Sequence, residues 1–280
     1  MSNFINSEYE TGLTNVINDI FYCNTSYRGK IGFIRILTEY LVRKLTDYPS
    51  TDKMMLGYDR VKNMIADLPY GAHIQECVDK IKNDIDDSHG GDTCLHTERV
   101  DEVSEEEYNC ILDALSELYA CLFIKYFADH EFGSNDKIMS EFSLLPPTIR
   151  YKTLIFLYNT VEDAKSNIHL IDRLVLSMKK ALGKEEASKW VEERKAQLEE
   201  IPAVAKIDAN DPLQVLAAMT APNMYECCLS KIESEYPELY KTFEEAKTYY
   251  LKFGGLDGTT NDILEFNDIM EFVFMGRKEA

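Results

Sequence analysis

The chain has 280 residues, 45% of them hydrophobic and 28% charged, and a formal net charge of −19. That length buries a full core as one large domain or two smaller ones, and the composition is ordinary for a folded protein. The acidic balance argues against generic nucleic-acid binding, which draws its affinity from Lys and Arg on phosphates, and suits basic protein surfaces instead.

No apolar run approaches the roughly 20 residues of a membrane helix, so no membrane partner is expected. The N-terminal MSNFINSEYETGL has no basic n-region and no apolar h-region, so no secretory signal is expected either. Seven cysteines (Cys23, Cys77, Cys94, Cys110, Cys121, Cys227 and Cys228) fall at irregular spacings without a CxxC pair. Reduced thiols in a cytoplasmic protein are the expectation, not a disulfide framework.

Apolar residues recur at three- and four-residue intervals, while Pro and Gly number only 8 and 13. Both facts predict an all-α fold. Ser7 to Tyr22 reads as a first helix, with Leu13, Val16, Ile17 and Ile20 on one face. A second runs from Arg28 to Leu45, with Ile31, Ile34, Leu37, Leu41 and Leu45 as its buried stripe and a basic outer surface. Thr51 or Asp52 is expected to cap a third helix reaching Leu68, and a fourth spans His73 to Ile85. Ser104 followed by Glu107 is a capping box opening a long apolar helix to Phe132.

Gly133 to Asp136, followed by Pro146-Pro147, predicts the domain seam, dividing the chain into 1–133 and 134–280. Beyond it the pattern stays helical over Pro147 to Ala164, Asn167 to Leu182, Lys184 to Glu200, Pro212 to Ala221, Met224 to Glu235, Pro237 to Lys252 and Asn261 to Met275. The prolines suit first-turn positions. No repeat period appears, so a solenoid is unsupported.

The most polar run is Lys82 to Glu107. From Asp84 to Glu107 it holds ten acidic side chains against one basic one, Arg99. Asp84, Asp86, Asp87, His89, Asp92, Cys94 and His96 supply every ligand type for a divalent metal. Their spacing matches no compact zinc signature, so the run reads as a solvated acidic loop, with neither metal nor cofactor expected. Cys94 lies two residues from His96, but closeness in sequence does not make a nucleophile–base pair. Cys110 and Cys121 sit on the apolar helix and read as small core residues. No GxSxG, P-loop, HExxH or GxGxxG pattern occurs. Arg35 and Glu39, one helical turn apart, suit an ion pair.

Two stretches carry a family resemblance. Ile34-Arg35 through Leu41-Val42-Arg43-Lys44-Leu45 is similar to an R-x-x-x-E helix, with Arg35 and Glu39 at the matching positions. Gly91-Asp92-Thr93-Cys94-Leu95-His96 resembles a G-N-x-A-x-H turn. Both belong to the HEPN-like superfamily, in a branch associated with restriction and phage-defence proteins, and the likeness covers Ser7 to Phe132. It implies a helical bundle at 1–133 that forms a homodimer, with a helical domain of unassigned role at 134–280. Active members carry an R-x(4–6)-H motif, yet no Arg lies between Arg60 and Arg99 here, and Asp92 stands where Asn is usual.

The resemblance thus implies a catalytically silent module in a bacterial or phage conflict system. Its acidic surface would meet a basic protein or another defence component. The alternative is a metal-independent endoribonuclease acting on RNA. There His96 is the acid–base group, Asp92 orients it, and Arg35 clamps the phosphate.

Overall fold

The computed structural model describes residues 4–85, 88–96, 100–203, 221–235 and 242–280. Among them the chain is all-helical, with 14 α-helices and no strand. It divides into two compact units, Met1–His130 with Lys247–Ala280, and Glu131–Ala246. The division predicted at 133/134 left the last 34 residues with the second unit; the structure returns them to the first.

In the first unit, α1 (Asn6–Phe21) packs against α2 (Tyr27–Thr46). The Ser26 hydroxyl caps α2 by accepting from the Gly29 amide, and Asp47 ends it in the left-handed region at φ 52°. All five apolar residues of the predicted α2 stripe are buried. The third helix starts later than its predicted cap, because α3 is only Asp59–Ala66. The Arg43 guanidinium holds the carbonyls of Pro49 (2.7 Å) and Asp52 (2.8 Å), and Tyr48, Met54 and Leu56 are buried beside it. Those contacts keep the segment before Asp59 out of a helix.

Helix α4 (Gly71–Lys82) and the short α5 (Gly91–Leu95) precede α6 (Glu105–Asp129). The capping box opens α6 as the sequence predicts, Ser104 and Glu107 each closing on the other's backbone. Every residue from Leu118 to Ile124 is buried. A helix covered on all sides is the centre of its unit.

Two further helices, α13 (Phe243–Phe253) and α14 (Asn261–Phe274), lie late in the chain. Helix α14 lays Phe266 against Phe123, Tyr126 and Phe127 of α6. Its Asp268 pairs with the buried Lys44 of α2, whose ammonium also donates to Asn6 (2.9 Å). An aromatic face and a buried cation therefore draw this segment back onto the first unit.

The second unit begins with α7 (Asp136–Phe142) and α8 (Pro147–Thr160), with Pro147 in its first turn as expected. A 3₁₀ turn (Glu162–Ser166) leads to α9 (Ile168–Leu182), capped by Asn167. The single helix expected over Lys184 to Glu200 breaks at Arg194 into α10 (Lys184–Glu193) and α11 (Lys195–Glu199). Helix α12 (Met224–Glu233) follows. Tyr158 stands edge-on to Trp190, centroids 5.1 Å apart, with the Arg194 guanidinium 4.5 Å from the indole, and Phe132 stands edge-on to Phe142 at 5.7 Å. The expected helix over Pro212 to Ala221, and the start of the one from Pro237, lie outside the described residues.

Candidate functional site

Helix α5 lies on the face of α2 that carries Arg28, Arg35 and Glu39, residues spaced at helical intervals. The Gly-Gly pair makes this approach possible. A Cβ on Gly91 would stand 2.3 Å from the Arg35 Cβ, and one on Gly90 would stand 2.2 Å from the Asn83 carbonyl carbon. Asp84 accepts from the Gly90 amide at 2.6 Å and closes the turn.

The structure brings Arg35 and Asp92 together. Arg35 Nε donates to Asp92 Oδ1 at 2.8 Å, its Nη1 pairs with Glu39, and Lys82 Nζ stands 3.1 Å from the other Asp92 oxygen. Burial works against charge on Arg35, but the two carboxylates outweigh it and raise its pKa. Burial likewise pushes the Asp92 carboxyl up, and the hydrogen bonds from Arg35 and Lys82 hold it down. His96, at the C-terminal end of α5, is exposed. Its carbonyl accepts from Arg28 at 2.6 Å, beside the Thr93 carbonyl at 3.0 Å. The Asp92 carboxylate is thus directed to Arg35 and Lys82, not to the His96 ring.

The other ligand-type residues of this polar run are engaged elsewhere. His89 is buried, its Nδ1 2.7 Å from Glu107 and its Nε2 3.3 Å from Asp101. The Glu107 carboxylate also accepts from the His89 amide (2.9 Å), the Ser104 amide (2.7 Å) and the Ser104 hydroxyl (2.9 Å). Burial pushes this carboxyl up, but the bonds from Ser104 and His89 prevail and hold it at about 2. Asp86 and Asp87 lie outside the described residues.

A groove of about 930 Å³ opens between α4, α6 and the residues Ile85, Ser88 and His89. Glu105, Glu106, Asp113 and Glu117 stand along it with Lys80 as its lining cation, and Cys77, Ile85, Ile111 and Ala114 give it an apolar side. In its inner wall α4 and α6 pack together, and His73 near the start of α4 meets Glu117 midway along α6, Nε2 to Oε1 3.2 Å. The hydrogen bond to Glu117 raises the His73 pKa against the effect of burial. Cys77 and Cys121 are hydrogen-bonded to each other, and with His73 they offer three donor atoms all within 4.8 Å of one another. Among the described residues this is the group of donors spaced to hold one ion. Sequence reasoning missed it, although His73–Cys77 and Glu117–Cys121 each repeat an i,i+4 spacing on an expected helix.

The chain matches no family model, no curated protein and no solved structure.

Proposed function

We propose that the first unit is a catalytically silent interaction module whose acidic groove receives a basic, amphipathic segment of a protein partner. The observation that carries this is the groove itself. Five exposed or half-buried carboxylates (Glu105, Glu106, Glu107, Asp113 and Glu117) line it beside one lysine and an apolar side, so a partner offering Lys or Arg beside aliphatic residues finds both complements. Charge of this sign repels a phosphate backbone. The bacterial or phage conflict setting, a defence component as the partner, and homodimerisation rest on the HEPN-like resemblance alone. Sedimentation of the purified chain tests the last.

One observation favours a second reading, the endoribonuclease. Arg35, Asp92 and His96 share the α2–α5 face, Arg28 drawing the His96 carbonyl onto it. Against it, Arg35 is held between Asp92 and Glu39, so a phosphate would have to displace two carboxylates before using that cation.

The test sets both readings side by side. The purified chain leaves total RNA and a labelled tRNA pool intact. A lysine-rich amphipathic peptide binds it with an affinity that falls as salt rises, and binds Glu106→Lys and Asp113→Lys more weakly. A peptide that fails to bind, or binds those variants equally well, overturns the module. RNA cleavage that is lost in both His96→Ala and Arg35→Ala establishes the nuclease in its place.

A further inference from the structure

We propose that His73, Cys77, Glu117 and Cys121 form a tetrahedral site for a zinc ion that staples α4 to α6 in the wall of the groove. The inference is independent of what the groove receives. It starts from two i,i+4 pairs. His73 and Cys77 lie one turn apart on α4, and Glu117 and Cys121 lie one turn apart on α6. Residues four apart share a helix face, and the two helices pack against each other along those faces.

The distances suit the ion. Tetrahedral zinc with bonds of about 2.0–2.1 Å to nitrogen and oxygen sets those two donors about 3.3 Å apart, and two thiolates at about 2.3 Å stand about 3.8 Å apart. His73 Nε2 and Glu117 Oε1 are 3.2 Å apart, and the sulfurs and the imidazole nitrogen fall within 4.8 Å of one another. Glu117 stands outside that three-donor group and reaches it through His73, so it would turn its carboxylate toward the sulfurs to complete the tetrahedron.

The donor chemistry narrows the metal. Two thiolates and an imidazole select a borderline-soft ion, whereas magnesium and calcium require oxygen donors. Four protein ligands leave no open position, which is the arrangement of structural rather than catalytic zinc. Cys77 and Glu117 also line the groove, so the ion has a route in from solvent. Each zinc ion bound displaces the protons of two thiols, giving one Zn(S-Cys)₂ unit and two released protons. A proton on His73 leaves as well.

The local electrostatics agree. The hydrogen bond from Cys121 lowers the Cys77 pKa, helped by His73 and opposed by burial. The same bond, with burial, raises Cys121 well above the ordinary thiol value.

The test uses the full chain, purified with chelator and a thiol reductant, then titrated with Co²⁺ and Zn²⁺. Expected is one equivalent of Co²⁺ with thiolate-to-cobalt charge-transfer absorption and the visible bands of a tetrahedral ion, displaced by Zn²⁺. Cys77→Ser, Cys121→Ser and His73→Gln each weaken binding by more than the roughly 10–100-fold that outer-shell changes cost. Cys110→Ser, a groove residue outside the cluster, leaves it unchanged. Because buried variants can misfold, alkylation of the unmodified chain is read in parallel. Zinc protects Cys77 and Cys121 but leaves the exposed Cys110 reactive. Cobalt spectra without a charge-transfer band, or alkylation of Cys77 and Cys121 at the same rate with and without zinc, overturn the proposal. So does affinity unaffected by Cys121→Ser.

Discussion

Glu107 shows how one side chain organises the polar stretch. Its carboxylate closes the α6 cap through Ser104 and also holds His89 by ring and backbone, so four donors converge on two oxygens. An uncharged amide keeps the shape but turns one acceptor into a donor facing donors. Glu107→Gln is therefore expected to cost about 1–2 kcal/mol at neutral pH, the scale of a lost cap plus a charge-assisted bond. The pH dependence follows from the sign of the shift. The folded carboxyl sits at about 2, below its ordinary 4.5, so its contribution is fully present above 4.5 and is lost as pH falls toward 2. Urea unfolding of both proteins at pH 7 and pH 3 checks this: the gap between them should narrow at pH 3. A gap that widens on acidification would show that Glu107 is stabilising in its protonated form.

At the scale of elements, helix existence was legible and helix docking was not. The apolar spacing of α2 and the Ser104–Glu107 box gave those helices because both signals are local in sequence. The start of α3 was not legible, since it depends on Arg43 reaching back over the turn to Pro49 and Asp52. Residues 247–280 were misplaced for a related reason. Nothing local announces that Phe266 of α14 meets the aromatic face of α6, or that Asp268 meets Lys44 across more than 200 residues. Likewise Arg35 and Glu39 could be paired from spacing, whereas the Arg35–Asp92 bond and the His73–Cys77–Cys121 cluster exist only once helices pack. The docking of α14 has a direct test. Phe266 is fully buried among three aromatic rings, so Phe266→Ala is expected to destabilise by about 3–5 kcal/mol. Leu264, half exposed on the same helix, should change stability by less than about 0.5 kcal/mol as Leu264→Ala. Equal effects at both positions in chemical unfolding would mean that α14 does not dock on α6 in solution.

For the molecule as a whole, the surplus of negative charge sets the balance between attraction and self-repulsion. The formal charge of −19 spreads over 280 residues, and each carboxylate feels its neighbours across any distance shorter than the Debye length. The opposing surface ion pairs, such as Arg60–Asp52, Lys80–Glu76 and Lys184–Glu233, are exposed and each contributes at most about 1 kcal/mol. The interior pairs, Lys44–Asp268 and Arg35–Asp92, are shielded from solvent on their cationic side and respond less to added ions. Salt should therefore screen repulsion more than it weakens attraction. Raising ionic strength from about 0.01 M to about 0.15 M shortens the Debye length from about 30 Å to about 8 Å, and the thermal midpoint is expected to rise over that range. Potassium chloride is the salt to use, in chelator-treated buffer, so that neither anion exclusion nor a bound metal contributes. A midpoint that falls with salt would mean that ion pairs outweigh the repulsion. The acidic groove would then already be neutralised by cations of this chain, leaving a basic partner nothing to complement.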